Sequence, residues 1–192
     1  MAGRPRSTLC DRAILDAALG EYAIRGLEGM SVDAVAARAG VSKATIYRRY
    51  PSKTELVVAA AFTLAIEAAP KPDTGSLRGD LTTALRNLRT LLDDPVLGAA
   101  TRMLVVDAVQ HEDLARMHTD FVRERRQGTF DAFRRAIDRG ELQPDIDFEF
   151  AADAIGAPLF YRHLVLRDAV DDAYIERVVD SFLARYGVRQ DA

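Results

Sequence analysis

Residues 31–53, SVDAVAARAGVSKATIYRRYPSK, decide the fold of this chain. Val32, Val35, Ala36 and Ala39 recur at i, i+3, i+4 and i+7, the apolar stripe of a short helix, and Ser31 before them is a good N-cap. Gly40 stops that helix, because glycine enters the left-handed C′ conformation without a Cβ penalty. Ser42 caps a second helix expected to run to about Tyr50. On it Ile46 and Tyr50 face inward, while Lys43, Ala44, Tyr47 and Arg48 point elsewhere. Pro51 ends it, since the residue before a proline avoids the α region. A basic, aromatic and small-residue face on a short helix after a tight turn suits entry into a DNA major groove.

Working upstream, Leu15, Ala18, Leu19 and Tyr22 form the core stripe of a helix from about Leu9 to Arg25, closed by Gly26 and Gly29. It packs the next two helices into a three-helix unit. The stretch Gly3-Arg4-Pro5-Arg6 is an extended basic arm, compatible with a minor groove or with a solvated tail. Downstream, Ser52-Lys53-Thr54-Glu55 has the S-x-x-E pattern of a capping box, so a helix starts there and continues through Ala68. Its free N–H groups, with Lys53 beside them, favour a phosphate. Pro70, Pro72 and Gly75 break it.

The rest of the chain keeps helical spacing. Leucine recurs at 77, 81, 85, 88 and 92, and Asp94-Pro95 opens a helix to about Val109. A long helix from about Asp113 to Arg139 buries Leu114, Met117, Phe121, Phe133 and Ile137, with Arg123 to Gln127 as a solvated face. Two last helices cover about 147–166 and 171–186. With no useful β-alternation, the expected class is all-α, about nine helices. The expected division is a helix-turn-helix DNA-binding domain over 9–69 and a second helical domain over 70–192.

Net charge is −3, but it is unevenly distributed. Residues 1–56 carry nine basic and six acidic side chains, a balance of +3, whereas the remaining 17 basic and 23 acidic leave −6. A basic head on an acidic body is what a protein needs when one end meets phosphates. No run reaches membrane-spanning length: Leu56 to Ala69 is interrupted by Thr63 and Glu67 and would be only about 21 Å long as helix. The N-terminus lacks the apolar segment of a signal peptide, so a cytoplasmic location is expected. One cysteine, Cys10, excludes an internal disulfide framework.

Enzyme chemistry finds no footing. Gly40-Val41-Ser42-Lys43-Ala44 approaches a nucleophile elbow, but that motif follows a strand, not a helix. His111 and His118 lie two turns apart, about 10.5 Å, too far for one metal ion. Neither G-x-G-x-x-G nor G-K-[ST] occurs, so no nucleotide, metal or other cofactor is expected, and the protein is not expected to be an enzyme.

Ala39-Gly40-Val41-Ser42, then Thr45-Ile46-Tyr47, Tyr50, Ser52-Lys53 and Leu56 stand in the order of the helix-turn-helix signature of the tetracycline-repressor (TetR) family, which this chain resembles. Arg12, Ile14-Leu15, Ala17-Ala18, Tyr22 and Gly26 extend the likeness upstream, over roughly residues 9 to 60. The resemblance implies a dimeric transcriptional repressor that binds a palindromic operator in double-stranded DNA and is released by a small-molecule effector. Family positions carried over residue by residue imply Lys43, Ala44, Thr45 and Tyr47 at the major groove, with Ser31, Tyr47, Arg49 and Lys53 on phosphates; the helical period, and not the family pattern, puts Arg48 on the same outer face. Lys43 is the choice for a base edge.

In the body, a pocket for a hydrophobic ligand is expected with Phe62, Met103, Met117 and Phe121 as walls and Arg102 or His118 as a polar handle. Ala151, Ala154, Ile155, Pro158, Leu159 and Arg162 line one of the last two helices. Ile175, Val178, Val179, Phe182 and Tyr186 line the other. Periodicity alone does not separate a subunit interface from an internal core, and the resemblance favours an interface. Two other readings stand beside this one: a DNA-binding regulator whose body is a non-inducible dimerisation or protein-partner module, and an all-α enzyme or adaptor with a purely structural helix-turn-helix.

Overall fold

A computed structural model of the chain describes residues 8–68 and 70–188; the Gly3–Arg6 arm lies outside them. Among the described residues there are nine α-helices: α1 (Thr8–Gly29), α2 (Val32–Ala39), α3 (Lys43–Tyr47), α4 (Lys53–Ala68), α5 (Leu77–Asp93), α6 (Leu97–Ala108), α7 (Glu112–Asp138), α8 (Phe148–Phe160) and α9 (Asp172–Tyr186). A π-helical turn, Tyr161–Leu166, continues α8. The all-α class expected from periodicity is the class observed, and the only pairing of β type among these residues is an isolated bridge between Leu142 and Gly187.

The helices form where local signals place them, with instructive departures. Ser52 Oγ accepts the Glu55 N–H at 3.1 Å and lies 3.3 Å from the Glu55 carboxylate, so the expected capping serine opens α4. Asp94 accepts the N–H groups of Val96 and Leu97 at 2.9 and 2.8 Å, holding a turn from which α6 emerges. α1 is longer than expected because helical hydrogen bonding resumes after Gly26, but Gly26 breaks it all the same, at φ 65° and ψ −177°. α3 is shorter: after Tyr47 the chain tightens, with Arg49 N–H and Tyr50 N–H both donating to the Ile46 carbonyl at 2.9 Å. The expected single helix over 147–166 widens into its π turn just past Pro158, whose ring supplies no N–H to the preceding turn.

The chain forms two compact units, each with its own core. The first comprises the described part of Met1–Ala68 together with Leu91–Phe121, so α6 and the front of α7, which the sequence reading assigned to the body, cluster here with α1–α4. Ile14, Leu19 and Tyr22 of α1, Val35 of α2, Ile46 of α3, Leu56 and Val57 of α4, Leu104 of α6 and Leu114 of α7 are buried in one cluster. The second unit is the described part of Ala69–Thr90 with Val122–Ala192. Its core joins Leu77, Leu81 and Leu85 of α5, Phe133 of α7, Ile155 and Leu159 of α8, and Ile175, Val179 and Phe182 of α9.

Two polar devices tie the second unit together. The fully buried Asp80 carboxylate accepts the Thr74 N–H at 2.6 Å, the Thr74 hydroxyl at 2.8 Å and Arg135 Nη2 at 2.9 Å. Arg135 also donates to the Pro72 carbonyl at 2.9 Å, which pins the proline loop. Arg126, expected on a plain solvated face, instead bridges α7 to α8 through Glu149 and Asp153.

Candidate nucleic-acid interface

The α2–α3 pair is built from local bonds plus one deep anchor. Ser31 Oγ accepts the Ala34 N–H at 3.3 Å to open α2. Gly40 closes it at φ 67°, ψ 32°, and Val41 N–H returns to the Ala36 carbonyl at 3.0 Å, a Schellman closure. Ser42 Oγ then accepts the Thr45 N–H at 3.2 Å and lies 2.9 Å from the Thr45 hydroxyl. Ile46 is buried in the core, which rotates Lys43, Ala44, Tyr47 and Arg48 to the exposed side of α3. Thr45 and Tyr50 are half-buried. The arrangement is a short helix with a basic and aromatic outer surface and no spare apolar face.

The basic groups are not equivalent. Lys43 Nζ stands 2.9 Å from Asp33 Oδ2, and hydrogen bonding to Asp33 raises the lysine pKa above its ordinary value. Arg49, half-buried, is paired with Asp11 of α1. Lys53 Nζ reaches back to the Glu28 carbonyl at 3.4 Å. Arg48 is exposed; its backbone N–H donates to the Ala44 carbonyl at 3.1 Å, and among the described residues its guanidinium has no hydrogen bond or ion pair. The sequence reading missed Asp33 and Asp11 because their lysine and arginine partners lie ten and 38 positions away; their only signal was acidity inside a basic segment.

Of the residues expected at a ligand pocket, Phe62 and Phe121 stack face to face, ring centroids 3.8 Å apart and planes 6° from parallel. Met103 and Met117 are half-buried against the same core. His118 is half-buried and its pKa is lowered by that burial, while Arg102 is exposed. A separate cleft of about 430 Å³ in this unit is lined by Arg12, Asp16, Leu19, Leu64, Glu67, Asp94, Val96 and Leu97, none of them an expected pocket residue. Among the described residues no three His, Cys, Asp or Glu side chains converge on a metal position, and no helix is long and apolar enough to cross a membrane.

The residues expected at a subunit interface divide by face. Ala151, Ile155, Leu159, Ile175, Val179 and Phe182 are buried in the core of the second unit. Ala154 is exposed, and Pro158, Arg162, Val178 and Tyr186 are half-buried. The opposite side of α8, continued by the first residue of the π turn, carries an exposed stripe, Phe150, Ala154, Ala157 and Tyr161, at i, i+4, i+7 and i+11.

Comparison with known proteins shows the family and the fold. Residues 14–60 match the family model described as bacterial regulatory proteins, tetR family. Residues 71–182 match that described as tetracyclin repressor-like, C-terminal domain. The chain is 35% identical over 178 residues to the uncharacterized HTH-type transcriptional regulator YdeS of Bacillus subtilis, covering 92% of this chain and 89% of that one. It is 36% identical to the DNA-binding transcriptional repressor TetR of Mycobacteroides abscessus, covering 89% and 90%. The crystal structure of the TetR family transcription regulator SCO0332 superposes with a TM-score of 0.76 at 27% identity, over 91% of this chain and 97% of that one. A TetR family transcriptional regulator from Pseudomonas syringae pv. tomato gives 0.68, also at 27%, over 95% and 99%.

Proposed function

We propose, from the premise that this chain belongs to the tetracycline-repressor family of helix-turn-helix transcriptional regulators, that it is a repressor which binds a palindromic operator as a dimer and is released by a small hydrophobic ligand. The observation that carries the reading is the exposed surface of α3: Lys43, Ala44, Tyr47 and Arg48 face outward because Ile46 is locked in the core. The α2–α3 pair then meets DNA, the ligand group lies in the unit that joins α1–α4 to α6 and the front of α7, and pairing falls to the second unit. Ser31, Thr45 and Lys53 complete the DNA-contacting set, whereas Arg49, expected on a phosphate, is engaged by Asp11 of α1. It works in the cytoplasm, where its DNA is, and not as an enzyme.

Pairing follows from economy of recognition. One short helix reads only a few base pairs, so specificity calls for two copies about 34–36 Å apart or a multiple of that. The exposed apolar stripe Phe150-Ala154-Ala157-Tyr161 supports α8 as the pairing helix, since its alanines let a second helix approach closely. The relative named as a repressor supports the sign of regulation. The ligand side rests on Phe62, Met103, Met117 and Phe121, an apolar group with His118 and Arg102 near it in sequence.

The test begins by letting the purified protein select duplexes from a random-sequence DNA pool. An inverted repeat in the selected sequences, with affinity that falls steeply as salt rises, is the expected result. Hydrophobic small molecules that raise the melting temperature are then added to the complex. Hits that release the DNA support the inducer reading, and hits that stabilise the protein yet leave DNA affinity unchanged overturn it.

A further inference from the structure

The connection between α1 and α2 takes its shape from a residue 80 positions away. Just after the break at Gly26, the Leu27 N–H donates to Asp107 Oδ2 at 2.9 Å. The next residue is held twice more: the Glu28 carbonyl accepts Lys53 Nζ at 3.4 Å, and the Glu28 carboxylate stands 3.5 Å from His111 Nε2. A Cβ at Gly26 would come within 3.3 Å of the Met103 terminal methyl and 3.4 Å of the Asp107 carboxylate, so this backbone runs flush against α6. The buried Tyr22 phenol, one turn earlier, faces the same carboxylate; burial first, then that negative charge, raise its pKa.

Asp107 occupies a position that local rules disfavour. It sits in the last turn of α6, where unpaired helix carbonyls repel a negative charge. The Leu27 N–H offsets that repulsion. In return Asp107 acts as a cap for the turn that follows Gly26, in which Met30 N–H bonds the Gly26 carbonyl at 3.1 Å. One residue later Ser31 opens α2. Helices of eight and five residues do not fix their own orientation, so the attitude of α2–α3 depends on the packing of Val35 and Ile46 in the core together with what holds this connection.

We infer that Asp107 is a positioning residue for DNA binding: its carboxylate fixes the α1–α2 connection and thereby the angle at which α2–α3 meets the groove. The inference rests on α2–α3 being the DNA-reading pair. Base contacts tolerate only a few tenths of an ångström, so loosening this clamp costs affinity without any change on the α3 surface.

The experiment uses the full chain and the duplex that the wild-type protein selects from a random-sequence pool. Asp107→Leu removes the acceptor, and Asp107→Asn keeps a carbonyl oxygen in its place. Well below the melting temperature, Asp107→Leu is expected to lose about tenfold or more in affinity. Asp107→Asn is expected to stay within about threefold. Hydrogen exchange of the Leu27 amide should accelerate in Asp107→Leu while the amides around Ile175 in the second unit keep their rates. Wild-type affinity in Asp107→Leu, or a loss accompanied by equal acceleration at every amide, overturns the inference. Undiminished binding by both Lys43→Ala and Arg48→Ala removes the premise about α2–α3, and the inference with it.

Discussion

Lys43 Nζ and Asp33 Oδ2 stand 2.9 Å apart, joining the first residue of α3 to the first turn of α2. The lysine expected to read a base edge is thus held by an acid on its own module. Both side chains are about half exposed or more, so the pair adds little to stability. Its importance is for binding, because Asp33 aims the lysine and also repels phosphates.

Asp33→Asn is therefore expected to strengthen binding to non-specific DNA and to steepen the salt dependence by about one charge. Lys43→Ala should relax preference at one base pair by about 1–3 kcal/mol. Titration of selected and scrambled duplexes at several salt concentrations measures both. An Asp33→Asn protein with unchanged non-specific affinity would remove the electrostatic role assigned to this pair.

Arg48 and Arg49 are neighbours in sequence with different expected roles. Arg48→Ala should weaken all duplexes alike and lower the salt slope by about one. Arg49→Ala should mainly lower stability, by about 0.5–1 kcal/mol, because its partner Asp11 is left behind on α1. Urea denaturation and salt titration of the two variants separate these outcomes, and a reduced salt slope only in Arg49→Ala would reverse the assignment.

Pairing through α8 is tested by charging its exposed stripe. Ala157→Glu should give a folded monomer by light scattering and circular dichroism, with DNA binding lost. Ile155→Asp should instead unfold the second unit, since an unpaired charge in a packed core costs about 3–5 kcal/mol. An Ala157→Glu protein that remains dimeric would place the interface elsewhere.

Asp80 should make the second unit acid-sensitive. Burial by itself raises its pKa, but the Thr74 N–H and hydroxyl and Arg135 more than offset this and hold it below the usual aspartate value. A depressed folded pKa means the stabilisation is complete above the unfolded value and is lost as pH falls through the folded one. Denaturation curves should therefore lose stability below the ordinary carboxylate range, and Asp80→Asn should be less stable at neutral pH with a flatter acid limb. An acid limb equally steep in Asp80→Asn would assign the sensitivity to other carboxylates.

What the sequence determined by itself was everything carried by short-range rules. Ser31, Gly40 and Ser42 announce their caps and turn because each acts on backbone groups within five residues, and Ile46 follows from the helical period. The all-α class and the place of the outward-facing α3 residues come from the same periodicity. Tertiary structure alone decided three things. The apolar stripe of α8 and α9 has one period whether it faces a partner or its own unit, and only packing showed Ile155, Leu159 and Val179 to be internal. The ion pairs of Lys43 and Arg49 depend on which acids the fold brings near, and charge carries no address along the chain. Asp107 reaches Leu27 because α6 packs on α1, a long-range contact whose only trace in sequence is an acid in a helix turn where local electrostatics disfavours one.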